Sequence, residues 1–241
     1  MSKEKLPFVF PLDQKTIVRQ RAAILARLLA ADAAFCRIPI SGISQDSLDL
    51  MLGLYDDVFL HGCLKRLPIQ VTLSSRLTSS AGKFVFLRGP FGRIRQAEIR
   101  MSSDFLFQLD RGPFELNGLT VATPQEAFLL VFEHELCHAV EPLLFGKTGH
   151  SDRFMMLAKG LFGHTATRHK LPTRRQIASQ SGLVTGASVS FTFKGKNLSG
   201  VVTYIGKNAT VMVPDSNGEY RDTRGRRYAK YRVPLSELIS K

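Results

Sequence analysis

Cysteine is scarce in this 241-residue chain, and the three present, Cys36, Cys63 and Cys137, stand far apart. That scatter excludes a disulfide framework and fits a reducing compartment such as the cytoplasm, where a lone cysteine serves as a small buried hydrophobe. No secretory leader is expected over residues 1–20, because Pro7, Pro11 and Asp13 interrupt the stretch that would need an unbroken apolar run. No apolar run is long enough to span a bilayer. The most apolar early segment, 22–35, is short and carries Arg27 and Asp32, so it reads as an amphipathic helix packed on a domain. With 44 % hydrophobic residues, the chain can still bury one good core and a second, smaller one.

Acidic residues are also few: 20 Asp and Glu face 33 Lys and Arg, a net charge of +13. The imbalance is uneven. Residues 170–241 hold 13 Lys and Arg against 4 Asp and Glu, a net of +9, which leaves +4 for residues 1–169. Concentrated positive charge favours a polyanion such as DNA through counterion release and steering; the plain alternative is a solvated basic face.

Periodicity predicts helices over 16–35 and 44–61, the second with Ser44 as cap and Leu48, Met51, Leu52 and Tyr55 as its apolar stripe. Short alternating runs at 69–73, 83–87 and 94–101 predict a small antiparallel sheet. A further helix is expected over 152–161. Residues 163–182 read as a basic linker containing Arg174 and Arg175. Beyond it, about five short Val-, Phe-, Tyr- and Thr-rich runs broken by turn signals suggest a compact SH3-like barrel over 183–241. Its Tyr220, Arg226, Arg227, Tyr228, Lys230, Tyr231 and Arg232 interleave rings with cations. That mixture suits phosphate contact and base stacking, though tyrosines in small barrels also simply pack.

The stretch that carries chemistry is 123–154, and its centre is His134-Glu135-Leu136-Cys137-His138, an HExxH match. Histidines four apart on a helix share one face, so His134 and His138 can reach a single metal ion, with Glu135 beside them as a general base toward a water. Thr123, Pro124 and Glu126 read as N-cap, first helical residue and capping-box acid, and Ala127, Leu130, Val131 and Leu136 as core flanks. Pro142 marks the expected helix end. A catalytic zinc takes three protein ligands, and His150 is the leading third donor, because Pro142, Gly146 and Gly149 let the chain turn back. Glu141, Asp152 and His164 are the rivals. Metzincin spacing would place Gly at 141 and His at 144, where Glu141 and Leu144 stand. A downstream glutamate ligand is also excluded, since no Glu lies between Glu141 and Glu219. The bland alternative is a helix with two partly exposed histidines and a surface glutamate.

His134-Glu135-Leu136-Cys137-His138-Ala139, then Gly149-His150 and Phe154, preceded by Arg76-Leu77-Thr78-Ser79-Ser80-Ala81-Gly82, resemble the SprT-like zinc metalloprotease family, which includes Spartan-type DNA-protein crosslink proteases. The similarity covers about 46–161. Ser151 stands where the family has Gly, and the scattered cysteines cannot form the zinc ribbon that many members append. The resemblance implies a zincin-like domain over 1–162, which with the 163–182 linker and the barrel makes the expected fold α+β. It implies Zn2+ held by His134, His138 and His150, Glu135 as catalytic base, an edge strand that pairs with extended substrate, and DNA-associated proteins as substrates.

Overall fold

The computed structural model describes residues 8–110, 112–168, 171, 176, 178, 179, 181–206 and 208–240, with the backbone alone for Arg66. The chain is α+β and divides into two units, Met1–Leu171 and Pro172–Lys241.

In the first unit, α1 (Gln14–Ala31) starts on Asp13, whose carboxylate accepts from the Thr16 amide at 2.9 Å. It ends earlier than its apolar pattern predicts. Asp32 stops it by accepting from the Ala34 amide and from Ser47 Oγ, so a local side-chain turn replaces the next helical turn. Helix α2 (Gln45–Phe59) is capped by Ser44 and buries Leu48, Met51, Leu54 and Tyr55. Three strands follow, β1 (Ile69–Ser74), β2 (Gly82–Arg88) and β3 (Ile94–Ser102), in the order β1-β3-β2. The sheet is mixed and corrects the all-antiparallel expectation: β3 inserts between its predecessors and runs parallel to β1 but antiparallel to β2. Alternation fixes which face a residue takes and leaves strand direction open. Val71, Ile99 and Phe84 form one cross-strand row and Leu73, Met101 and Gly82 the next.

A single helical turn, α3 (Ser103–Leu106), leads to a hairpin of β4 (Phe114–Leu116) and β5 (Leu119–Val121). Its two-residue loop is Asn117-Gly118, both at positive φ, the pair that a type I′ turn prefers. Helices α4 (Pro124–Phe145) and α5 (Asp152–Phe162) complete the unit. The N-terminal strap is fastened to α5: the Leu12 amide donates to Gly160 O at 2.9 Å, and the Phe10 ring lies where a Cβ on residue 160 would sit, 2.3 Å from its nearest atom. Residues 163–168, expected in the linker, belong to this unit. His164 is fully buried, and the amides of Thr165 and Ala166 donate to Asn117 O. Arg174 and Arg175 lie outside the described residues.

The second unit is a six-stranded antiparallel sheet of β6 (Ser188–Phe193), β7 (Lys196–Ile205), β8 (Asn208–Pro214), β9 (Tyr220–Arg221), β10 (Arg227–Pro234) and β11 (Ile239–Ser240). The order is β11-β6-β7-β8-β10-β9. Val189, Phe191, Val202, Val211 and Val233 form its own core. Among the described residues, no helix is long and apolar enough to cross a membrane.

One buried carboxylate ties the helices of the first unit together. Glu133, fully buried on α4, accepts Arg21 Nε and Nη2 from α1 at 2.7 Å each, Tyr55 Oη from α2 at 2.8 Å, and His164 Nε2 at 2.9 Å. Arg21 also donates to Phe162 O at 2.7 Å. Burial alone would raise the Glu133 pKa, but Arg21 and His164 outweigh it and hold the carboxyl below its ordinary value. Burial, and then the Glu133 charge, push the Tyr55 phenol up, so it stays a neutral donor.

Removing one partner strands the charge. Arg21→Met is expected to cost about 3–5 kcal/mol of unfolding free energy, read by urea denaturation at neutral pH. Because the folded Glu133 pKa is depressed, its contribution is complete above the unfolded carboxyl value of about 4.3 and is lost as pH falls through the lower folded value. Glu133→Gln should flatten that part of the acid limb.

Candidate metal centre

The site is built on α4. Thr123 caps it, with Oγ1 accepting from the Glu126 amide at 3.2 Å while Glu126 Oε2 accepts from the Thr123 amide at 3.0 Å. Pro124 fills the first turn, where its missing N–H costs nothing. Residues on every side of the helix are buried, from Ala127, Leu130 and Val131 to Leu136 and Cys137, as expected for a helix inside a core rather than on its surface. Pro142 does not end it. The helix runs one further turn to Phe145 and stops at Gly146, which takes the left-handed φ of 77°. A proline this close to the end removes one hydrogen bond, to the His138 carbonyl, and the Gly146 amide still closes on Pro142 O at 3.0 Å.

The chain then returns. Glu141, a rival ligand by sequence, instead holds the returning loop: its Oε2 accepts from the Gly149 amide at 2.8 Å and its Oε1 from Ser151 Oγ at 2.9 Å. Ser151 is also the N-cap of α5, accepting from the Phe154 amide. His150 is thereby presented to the helix. Its Nε2 lies 3.0 Å from His134 Nε2 and 3.1 Å from His138 Nε2, and the donor atoms of all three fall within 4.8 Å of one another. Phe154, fully buried on α5, backs the cluster, its ring centroid 4.9, 4.4 and 5.1 Å from those of His134, His138 and His150.

This donor set fits a metal ion. Nitrogens held about 2.0–2.1 Å from a tetrahedral ion stand about 3.3–3.4 Å apart, close to the two spacings above. Thr148 Oγ1, 2.9 Å from His138 Nδ1, can accept that nitrogen's proton and leave the Nε2 lone pair facing the cluster, the outer support that ligating histidines use. Among the described residues the group contains these three histidines and no carboxylate. His164 is engaged with Glu133, and Asp152 sits in the first turn of α5 outside the group. Burial decreases from His134 through His138 to His150, so the cluster opens toward solvent on the His150 side. There it borders a groove of about 760 Å³ lined by Glu115, Leu119, Thr120, Met155 and Arg168.

Glu135 is buried beside His134, and its burial pushes the carboxyl up to about 8, offset in part by the Phe84 backbone hydrogen bond. Its carboxyl lies against the start of β2, where a Cβ on residue 82 would meet Glu135 Cγ at 2.6 Å and Oε1 at 2.7 Å. Only glycine leaves that space. In the sequence Gly82 stands out only as part of the segment that carries the family resemblance, Tyr55 only as an apolar-stripe residue, and Glu133 and Arg21 not at all; the one available signal is a second glutamate beside the motif, on the opposite flank from Glu135.

Of the cations expected to meet a polyanion, Arg226 pairs with Asp222 at 2.7 Å, Arg227 reaches Ser216 O at 3.4 Å, and Lys230 stands 5.5 Å above the Tyr220 ring. Arg232 is exposed on β10.

With Co2+ as a visible-spectrum probe, His134→Ala, His138→Ala and His150→Ala should each abolish tight binding. Glu141→Ala should weaken it about 10–100-fold by loosening the loop that carries His150. Gly82→Ala should leave Co2+ affinity within about threefold while displacing the Glu135 carboxyl, an outcome checked by crystallography of the variant. No protein-family model, curated protein or solved structure matches the chain.

Proposed function

We propose that the chain is a zinc-dependent peptidase of the SprT-like kind, its first unit a zincin-like catalytic domain and its second an SH3-like module. The observation that carries this reading is the convergence of three imidazoles, two from one helical face and one from a braced loop, beside a buried carboxyl on the same helix. The donor set suits Zn2+, which when bound supplies a Lewis acid for a peptide carbonyl and lowers the pKa of a water toward about 7.

The protein's own groups then have defined tasks. His134, His138 and His150 act as neutral ligands, with Thr148 and Glu141 fixing the orientation of His138 and of the loop carrying His150. Glu135 takes the proton of the attacking water and delivers it to the departing amine. Strand β2 is an edge of its sheet and packs on α4 next to Glu135, which suits pairing with an extended peptide with little demand on sequence. The basic second unit, with Arg226, Arg227, Lys230 and Arg232, favours DNA-associated proteins as substrates, and three unbridged cysteines suit a cytoplasmic setting.

A second reading, a DNA-binding or adaptor protein with a structural zinc, requires a fourth protein ligand. The engagement of Glu141 with Gly149 and Ser151 and of His164 with Glu133 weighs against it. The deciding experiment compares wild type with Glu135→Gln for zinc content, thermal unfolding and cleavage of casein or a DNA-binding protein, with and without single-stranded DNA. The expected result is unchanged zinc and fold with hydrolysis lowered by about 10³-fold or more. Equal rates would reject the peptidase reading.

A further inference from the structure

The tip of the β2–β3 hairpin displays a single aromatic ring to solvent. Phe91 is 101 % exposed and holds a φ of 61°, a left-handed backbone that a phenylalanine rarely adopts. No core contact holds the ring there. The turn itself is braced: the Gly89 amide donates to Arg93 O at 2.8 Å, Arg88 Nη1 donates to Gly92 O at 2.7 Å, and Arg88 Nη2 donates to Gly146 O at the end of α4. A bulge opposite Leu87 and Arg88 leaves Arg95 as the extra residue of β3, its side chain across Gly89, where a Cβ would lie 2.6 Å from Arg95 Cδ.

The end of the hairpin carries charge of one sign: residues 87–95 hold Arg88, Arg93 and Arg95 and no Asp or Glu. Arg93 and Arg95 are exposed and have no carboxylate partner among the described residues. A solvent-facing ring on a braced turn whose neighbouring residues are arginines is a combination that takes a base on the ring and phosphates on the cations. Because the turn is already closed, little ordering opposes such contact. A bilayer would need more apolar surface than Leu87, Pro90 and Phe91 supply.

We propose that this hairpin tip is a contact site for single-stranded nucleic acid, with Phe91 stacking on a base and Arg93 and Arg95 meeting its phosphates. It belongs to the first unit, and it does not require the chain to be a peptidase. Through Arg88 and Gly146 the tip is joined to the helix that carries His134 and His138, so a strand held there lies on the unit that holds the histidine cluster.

The test is ultraviolet cross-linking of a labelled oligothymidylate to the full chain, with the linked peptides located by mass spectrometry, together with binding by fluorescence anisotropy across a salt series. A cross-link on Phe91 is expected. Phe91→Ala should lose it and bind about tenfold more weakly with its thermal midpoint unchanged, and Phe91→Trp should restore binding. Arg93→Gln with Arg95→Gln should lower the slope of log affinity against log salt by about 1.4. Cross-links confined to residues 184–240, with Phe91→Ala binding as wild type, would overturn the proposal. So would loss of binding by Phe91→Ala to phosphatidylserine vesicles alone, which would assign the tip to a membrane surface. Neither readout involves hydrolysis, so failure here leaves the peptidase question open, and the reverse.

Discussion

A charge inside a protein must be fully partnered or it unfolds what surrounds it, and Glu133 is the charge on which the first unit depends. Its two oxygens take four hydrogen bonds from Arg21, Tyr55 and His164, so α1, α2 and the segment after α5 are all fixed to one point on α4. Residue 133 immediately precedes His134, and adjacent residues on a helix point about 100° apart. Turning Glu133 toward its donors therefore sets the direction in which His134, and four residues later His138, can face. The rotational phase of α4 is a property of the core, and the cluster inherits it.

The third imidazole is positioned by different means. Residues 147–151 are a connection, and connections are ordinarily the less rigid parts of a fold. Here Glu141 clasps the loop at both Gly149 and Ser151, Ser151 in turn starts α5, and α5 returns Phe154 to the three rings. Carboxylate, loop, helix start and aromatic backing form a closed circuit within about fourteen residues. That is why a loop-borne donor can match the placement of two helix-borne ones.

Much of this was legible because it is local. The Thr123 and Glu126 cap, the i,i+4 histidines and the return through Gly146 and Gly149 all lie within thirty residues, and each follows from helical spacing or turn chemistry. What escaped notice was long-range. Arg21 and Glu133 are 112 positions apart, and nothing in the spacing of either announces the other. Pro142 was read as a stop because proline usually is one; near a C-terminus its cost falls to one hydrogen bond, and the glycine four residues on ends the helix. Alternation in the sheet runs gave faces but not directions, so the parallel β1–β3 pair could not be foreseen. Strands β4 and β5, three residues each, were too short for any period to register, although Asn117-Gly118 between them is a strong hairpin signal. The linker was drawn from polarity, which cannot distinguish a tether from His164 buried against a carboxylate.

The strap that lays Phe10 on Gly160 and hands the Leu12 amide to its carbonyl joins the beginning of the first unit to its final helix. On a ribosome, residues 10–21 must wait for residues 160–162. Until α5 has emerged, Phe10 has no seat, and Arg21, the donor to Glu133, lacks its second acceptor, the Phe162 carbonyl. The unit therefore cannot be completed piecemeal from its leading end. Its assembly is gated by translation of the same segment that delivers His150.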